Sequence, residues 1–214
     1  VAAYRFLFPL HKRTGGGVVN STFEAKAIAS EYISAFEKIL ETLDLDAIER
    51  LVQRLRKVRD DGGTVYIAGN GGSAATATHW VNDLGKATKR SGQRSMRVMS
   101  LADNSSWLTA LGNDEGYERV FSGQLENFAR AGDVLILISA SGNSPNLVDA
   151  AECARSHGVA VFALLGFDGG ALRTLADDGV WVETDVGEYG LTETAHSLVA
   201  DIVTTAMMRD VSPT

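Results

Sequence analysis

Apolar residues recur at helical spacing through residues 22–42 (TFEAKAIASEYISAFEKILET) and again through 46–60 (DAIERLVQRLRKVRD). The spacing predicts two amphipathic helices, with Ser21 or Thr22 as a cap for the first and Gly62-Gly63 ending the second. From residue 64 the pattern changes. Short β-branched runs, apolar at successive positions, alternate with helical stretches: TVYIAG (64–69) before 73–88, MRVMSL (96–101) before 105–112 and 118–130, DVLILIS (133–139) before 145–157, VAVFALLG (159–166) before 170–176, and GVWVET (179–184) before 190–208. Strands covered on both faces of a parallel sheet need this composition. Five β-α units in series predict one α/β domain with a doubly wound parallel sheet. Ligands of such sheets lie beyond the carboxyl ends of the strands. The candidate chemistry therefore sits in the loops at 69–73, 102–106, 139–144, 166–170 and 185–190.

Two of these loops stand out. Gly69-Asn70-Gly71-Gly72-Ser73-Ala74 fits G-x-G-x-x-G/A between a strand and a helix, where glycines admit a ligand to the backbone and helix-start N–H groups attract anions. A dinucleotide site also needs an acidic residue roughly 20 positions on. The only candidate, Asp103, comes about 30 positions on, so no nucleotide cofactor is expected. The second loop reads Ser139-Ala140-Ser141-Gly142-Asn143-Ser144, followed by Pro145 at the first helical position. One serine would suffice to cap a helix. Three serines, an asparagine and a glycine make a phosphate cup without a basic side chain.

Composition narrows the partners. The net charge of −7 argues against nucleic acid or an anionic membrane as the main partner, because phosphate backbones select basic faces. No apolar run reaches transmembrane length, and the cytoplasm is the default compartment. The one cysteine, Cys153, rules out an internal disulfide and reads as a packed thiol in a helix. Residues 1–20, with TGGG at 14–17, read as an N-terminal extension outside the fold. Residues 21–62 carry the two N-terminal helices, with more apolar surface on 22–42 than one sheet face needs, which suits oligomerisation. Residues 63–210 form the α/β domain.

Taken in order, the two N-terminal helices, AGNGGSA, LADNSSWLTALGND, GDVLILISASGNS, LLGFDGGAL and ETAHSLVADI resemble the sugar isomerase (SIS) domain, and most nearly its phosphoheptose isomerase branch, over residues 22–208. The resemblance implies a flavodoxin-like five-stranded parallel sheet, a homotetramer built through the N-terminal helices, and sites at subunit interfaces. It implies a phosphorylated sugar as substrate, with Asn70, Gly71 and Ser73 holding the sugar end, Asn104 and Ser106 near its hydroxyls, and Ser139, Ser141, Asn143 and Ser144 around the phosphate. Family members usually have Thr at the place of Ala140, and some have Asp at that of Asn104.

Aldose–ketose isomerisation moves a proton between C1 and C2 through an enediol, which calls for a base and an acid. The family's His and Glu on the helix after the first loop correspond to His79 and Asp83, four residues apart and so on one helical face. The family's Gln and catalytic His on the last helix correspond to Glu193 and Asp201. About 100° per residue separates Glu193 from Asp201 by roughly 80°, and His196 from Asp201 by roughly 140°, so His196 does not replace the missing imidazole. By resemblance, Asp83 is the base and Asp201 the partner acid. His79, Asp83, Glu193 and Asp201 would converge on a divalent metal, zinc foremost. Lys86 or Arg90 would supply a basic group where the family register gives Ala87, and Trp80 and Trp107 would flank the site. The family also contains non-catalytic members that bind a phosphosugar or a protein partner, the alternative reading of this chain.

Overall fold

The computed structural model describes residues 25–210; the expectations for residues 1–20 lie outside them. Two helices, α1 (Ala25–Glu41) and α2 (Leu45–Asp61), precede the sheet. α2 is closed at both ends by local chemistry. Asp44 accepts a hydrogen bond from the Ala47 amide at 2.9 Å, and Gly62 adopts φ +79° to return its N–H to the Val58 and Arg59 carbonyls.

The rest alternates strand and helix: β1 (Thr64–Gly69), α3 (Gly72–Asn82), β2 (Arg97–Ser100), α4 (Ser105–Asp114), α5 (Ser122–Phe128), β3 (Val134–Ser139), α6 (Pro145–Ser156), β4 (Ala160–Leu165), α7 (Leu172–Leu175), β5 (Asp178–Trp181) and α8 (Tyr189–Arg209). All four strand pairings are parallel, in the order β2-β1-β3-β4-β5. This is the doubly wound five-stranded sheet expected. Alternation divides the core in two. Val65, Ile67, Val134, Ile136 and Ile138 face a layer of α2, α3 and α8, whereas Tyr66, Ala68, Leu135 and Leu137 face α5 and α6.

Two boundaries differ from the sequence pattern. The helix expected over 73–88 is α-helical only to Asn82 and continues as a π-helical turn, Asp83–Ala87. The helix expected over 118–130 is split into a 3₁₀ turn, Tyr117–Arg119, and α5. Between them Val120 and Phe121 turn inward into the second core layer, which overrides the local helical pattern. The far end of α8 is tied down by charge: buried Asp210 meets the buried Arg59 guanidinium at 3.0 Å.

The chain reverses direction of winding between β1 and β3. The loops that follow these two strands therefore open side by side at the carboxyl edge of the sheet, where a ligand is expected.

Candidate active site

The first loop is shaped by close approach. A Cβ on Gly69 would stand 2.7 Å from the Ser73 carbonyl, so the strand can enter the turn only with glycine. Gly71, at φ +54°, opens α3 with nothing near its Cα side, and Ser73 is buried within the first turn. Asn70 does not reach freely outward. Its Nδ2 donates to Asn146 Oδ1 at 2.9 Å, and its Oδ1 accepts from Asn146 Nδ2 at 2.9 Å and from the Tyr117 hydroxyl at 3.2 Å. That leaves one amide hydrogen of four hydrogen-bonding positions for a sugar. Asn70 is thus mainly a brace between the two loops. Sequence reading missed Asn146 and Tyr117, which lie 76 and 47 positions away.

The second loop is the expected phosphate cup. Ser139, buried at the end of β3, accepts the Gly142 amide at 3.0 Å, and Ser141 accepts that of Asn143 at 3.3 Å. Asn143 holds the next strand's loop, accepting the Ala171 amide at 2.9 Å. Ser144 occupies the cap position of α6 without a side-chain capping bond, which leaves its hydroxyl available. The loop at 166–171 clasps this cup: Leu172 N–H donates to Gly142 O at 3.0 Å, and Gly166 N–H to Ala140 O at 3.1 Å. The crossing is so tight that a Cβ on Gly142 would stand 1.9 Å from Gly169 O. Phe167, buried at φ +49°, holds the clasping loop in a conformation rare for a bulky residue, and the Trp181 indole donates to its carbonyl at 2.9 Å.

The third part is the seam between α3 and α8. Gly72, Thr76, His79 and Asp83 fall within about 60° on α3. Gly72 meets the Glu193 carboxylate, and Thr76 Oγ1 lies 3.3 Å from Ser197 Oγ. These contacts set the helices parallel and in register, so Asp201, two turns beyond Glu193, is level with His79 and Asp83. The His79 ring approaches Asp83 at 3.3 Å, and Asn82 Nδ2 donates to the other Asp83 oxygen at 2.9 Å. The π-helical turn begins at Asp83 itself, and π-bulges are frequent at functional sites. Burial alone pushes the Glu193 carboxyl above the ordinary range.

The expected four-way convergence does not form within the chain. Among the described residues no three of His, Cys, Asp and Glu gather where they could hold one metal ion. An aspartate at 201 reaches less far than the histidine of the family pattern. His79 and Asp83 instead form a pair level with Asp201, and Glu193 a separate group at the first loop.

Other expected residues have other duties. Asn104 Oδ1 caps α4, accepting the Trp107 amide at 3.1 Å, while Ser106 stays exposed on the first turn of that helix. Asp103, beside it, accepts the Thr78 hydroxyl. Arg90 is engaged by the carbonyls of Ala87, Lys89 and Met208, while Lys86 remains exposed. Trp80 is buried in the core and Trp107 packs edge-on against Phe128 at 5.5 Å. Burial raises the pKa of Cys153, as suits a packed thiol.

A doubly wound sheet with a serine-rich loop and a glycine loop side by side at its switch point is an α/β domain of the kind that takes a ligand at that edge. Residues 31–166 match the SIS domain family. A probable phosphoheptose isomerase of Thermoplasma volcanium is 39% identical over 158 residues, 73% of this chain and 80% of that protein. A phosphoheptose isomerase of Pelobacter propionicus is 45% identical over 132 residues, 62% of this chain and 67% of that protein. The solved phosphoheptose isomerase of Neisseria gonorrhoeae superposes with a TM-score of 0.76 at 30% identity, covering 85% of this chain and 95% of that one. The chain belongs to the SIS domain family, in its phosphoheptose isomerase branch.

Proposed function

We propose that this protein is an aldose–ketose isomerase of sedoheptulose 7-phosphate or a closely related sugar phosphate. The observation that carries this reading is a serine loop suited to a phosphate at the switch point, with the Asp83–His79 pair about three turns along the helix that leaves the neighbouring glycine loop. The cup anchors the phosphate and the first loop receives the carbonyl end. Asp83 takes the proton from C1 of the ketose, and the C2 oxygen takes up a proton, giving the enediol. Asp83 then returns its proton to C2 while the C1 hydroxyl gives one up, leaving the aldose. Asp201, level with the pair, is the group that exchanges the oxygen-borne protons. Its departure from the family's histidine favours a substrate differing from the family's own.

The exposed apolar side chains Ile33, Leu40 and Leu45 on and beside α1 support assembly through the N-terminal helices, a tetramer by analogy. Among the described residues no helix is long and apolar enough to cross a membrane, and a cytoplasmic enzyme is the reading that the single free cysteine favours.

The test is isotopic. Chelator-treated and zinc-supplemented protein is incubated with sedoheptulose 7-phosphate in D2O, and deuterium at C1 or C2 is followed by NMR. Exchange in the chelated sample that Asp83→Asn abolishes is expected. Sugar phosphate bound without exchange under either condition points instead to a non-catalytic SIS protein.

A further inference from the structure

Tyr117 is an aromatic side chain at the switch point with no role in the fold's core. The residue is 64% exposed. It stands on the 3₁₀ turn that follows α4, set by Gly116 at φ +105°. Its hydroxyl bonds Asn70 Oδ1 at 3.2 Å, and Asn70 is in turn paired with Asn146, two residues into α6 beyond the serine cup. The phenol is thereby fixed over the junction of the two loops. One ring edge rests near Gly112, where a Cβ would stand 3.9 Å from it, while most of the ring faces solvent.

An exposed tyrosine whose hydroxyl is already engaged presents an apolar face and little else. Tyrosine suits sites where one end is wet and the other apolar, because a rigid ring covers area at small entropic cost. The carbon chain of a phosphosugar offers C–H faces between its hydroxyls. Resting on the isomerase reading, we propose that Tyr117 is a substrate-contacting, specificity-determining residue: its ring forms the apolar wall of the cleft, against which the carbon chain lies once the phosphate is seated in the cup.

The wall and the cup make separable contributions. Sedoheptulose 7-phosphate touches both, and inorganic phosphate only the cup. Tyr117→Phe keeps the ring and loses the bond to Asn70; Tyr117→Ala loses both. Calorimetric affinities of both ligands are measured for the three proteins, with elution volume on gel filtration as a control. Tyr117→Ala weakens sedoheptulose 7-phosphate about tenfold, which corresponds to about 1.4 kcal/mol, and leaves inorganic phosphate unchanged. Tyr117→Phe stays within about threefold of the parent for both. In the exchange assay the alanine variant raises KM and spares kcat.

Equal losses in Tyr117→Phe and Tyr117→Ala would overturn the proposal in favour of the hydroxyl as a brace for Asn70. So would a changed elution volume with unchanged sugar-phosphate affinity, which would make the ring an interface residue. A parent protein that binds sedoheptulose 7-phosphate without turning it over defeats the isomerase reading and still decides this one by affinity. A parent that does not bind it overturns both.

Discussion

The carboxylate of Glu193 rests on the backbone of Gly72: a methyl group there would stand 2.5 Å from one carboxylate oxygen and 2.6 Å from the other. This contact joins the last helix to the first glycine loop and sets the register of the α3–α8 seam. Gly72 is helical, and alanine is the better helix former by roughly 1 kcal/mol. What alanine would displace is the far end of a flexible side chain. Gly72→Ala is therefore expected to keep or raise the melting temperature while lowering kcat/KM at least about tenfold, because Glu193 is pushed out of the cleft. A thermal melt and the deuterium exchange rate, measured on the same sample, check it. Unchanged exchange would remove Glu193 from the site.

Gly142 should behave in the opposite way. Its φ of +62° disfavours any side chain, and the atom in its path is the Gly169 carbonyl, which belongs to a braced loop. Gly142→Ala is expected to cost about 1–3 kcal/mol of stability and to abolish inorganic phosphate binding. Urea denaturation and calorimetry read the two effects. Phosphate binding that survives would mean the cup does not depend on the crossing of the two loops.

What was readable in the sequence was local. β1, β3 and β4 announce themselves as apolar runs, and the serine loop as too many hydroxyls for a cap. His79 and Asp83 follow from i, i+4 spacing, and the structure pairs them. What the sequence could not show depended on packing between distant segments. That Glu193 meets Gly72, about three turns from Asp83, is set by the register of two helices whose contact residues lie over a hundred positions apart in the chain. Asn70, placed at the sugar end by resemblance alone, has partners that only the fold brings to it, Asn146 and Tyr117. Arg90 looked free until the end of α8 came alongside and offered it the Met208 carbonyl.

His79 is mostly exposed and touches Asp83 through one ring nitrogen. On the isomerase reading its role is to aim the carboxylate. His79→Gln, which retains a donor, is expected to lose less exchange activity than His79→Ala, with phosphate affinity intact in both. Asp83→Asn removes the proposed base and should cost about 10²–10⁴ in rate. Alanine and glutamine variants of equal activity would show that Asp83 needs no help from His79.

His196 supplies the clearest dependence on pH. Its ring is buried in α8, and neither nitrogen makes a hydrogen bond of good geometry. Burial lowers its pKa to about 4, against a smaller opposing pull from the Leu165 backbone. In the unfolded chain the value returns to about 6.5. Between these limits the unfolded state binds the extra proton, so stability rises with pH there and is lost as pH falls from 6.5 towards 4. The loss from this residue alone amounts to about 3 kcal/mol when complete, since each tenfold difference in proton affinity between the two states is worth about 1.4 kcal/mol. His196→Gln and His196→Leu cannot take up that proton. Whatever their stability at pH 7, each should lose less between pH 7 and pH 4.5 than the parent, by about 2 kcal/mol on the same relation. Urea midpoints at the two pH values give the comparison. Parallel losses in parent and variants would show that His196 already holds its proton in the folded protein or is reached by water.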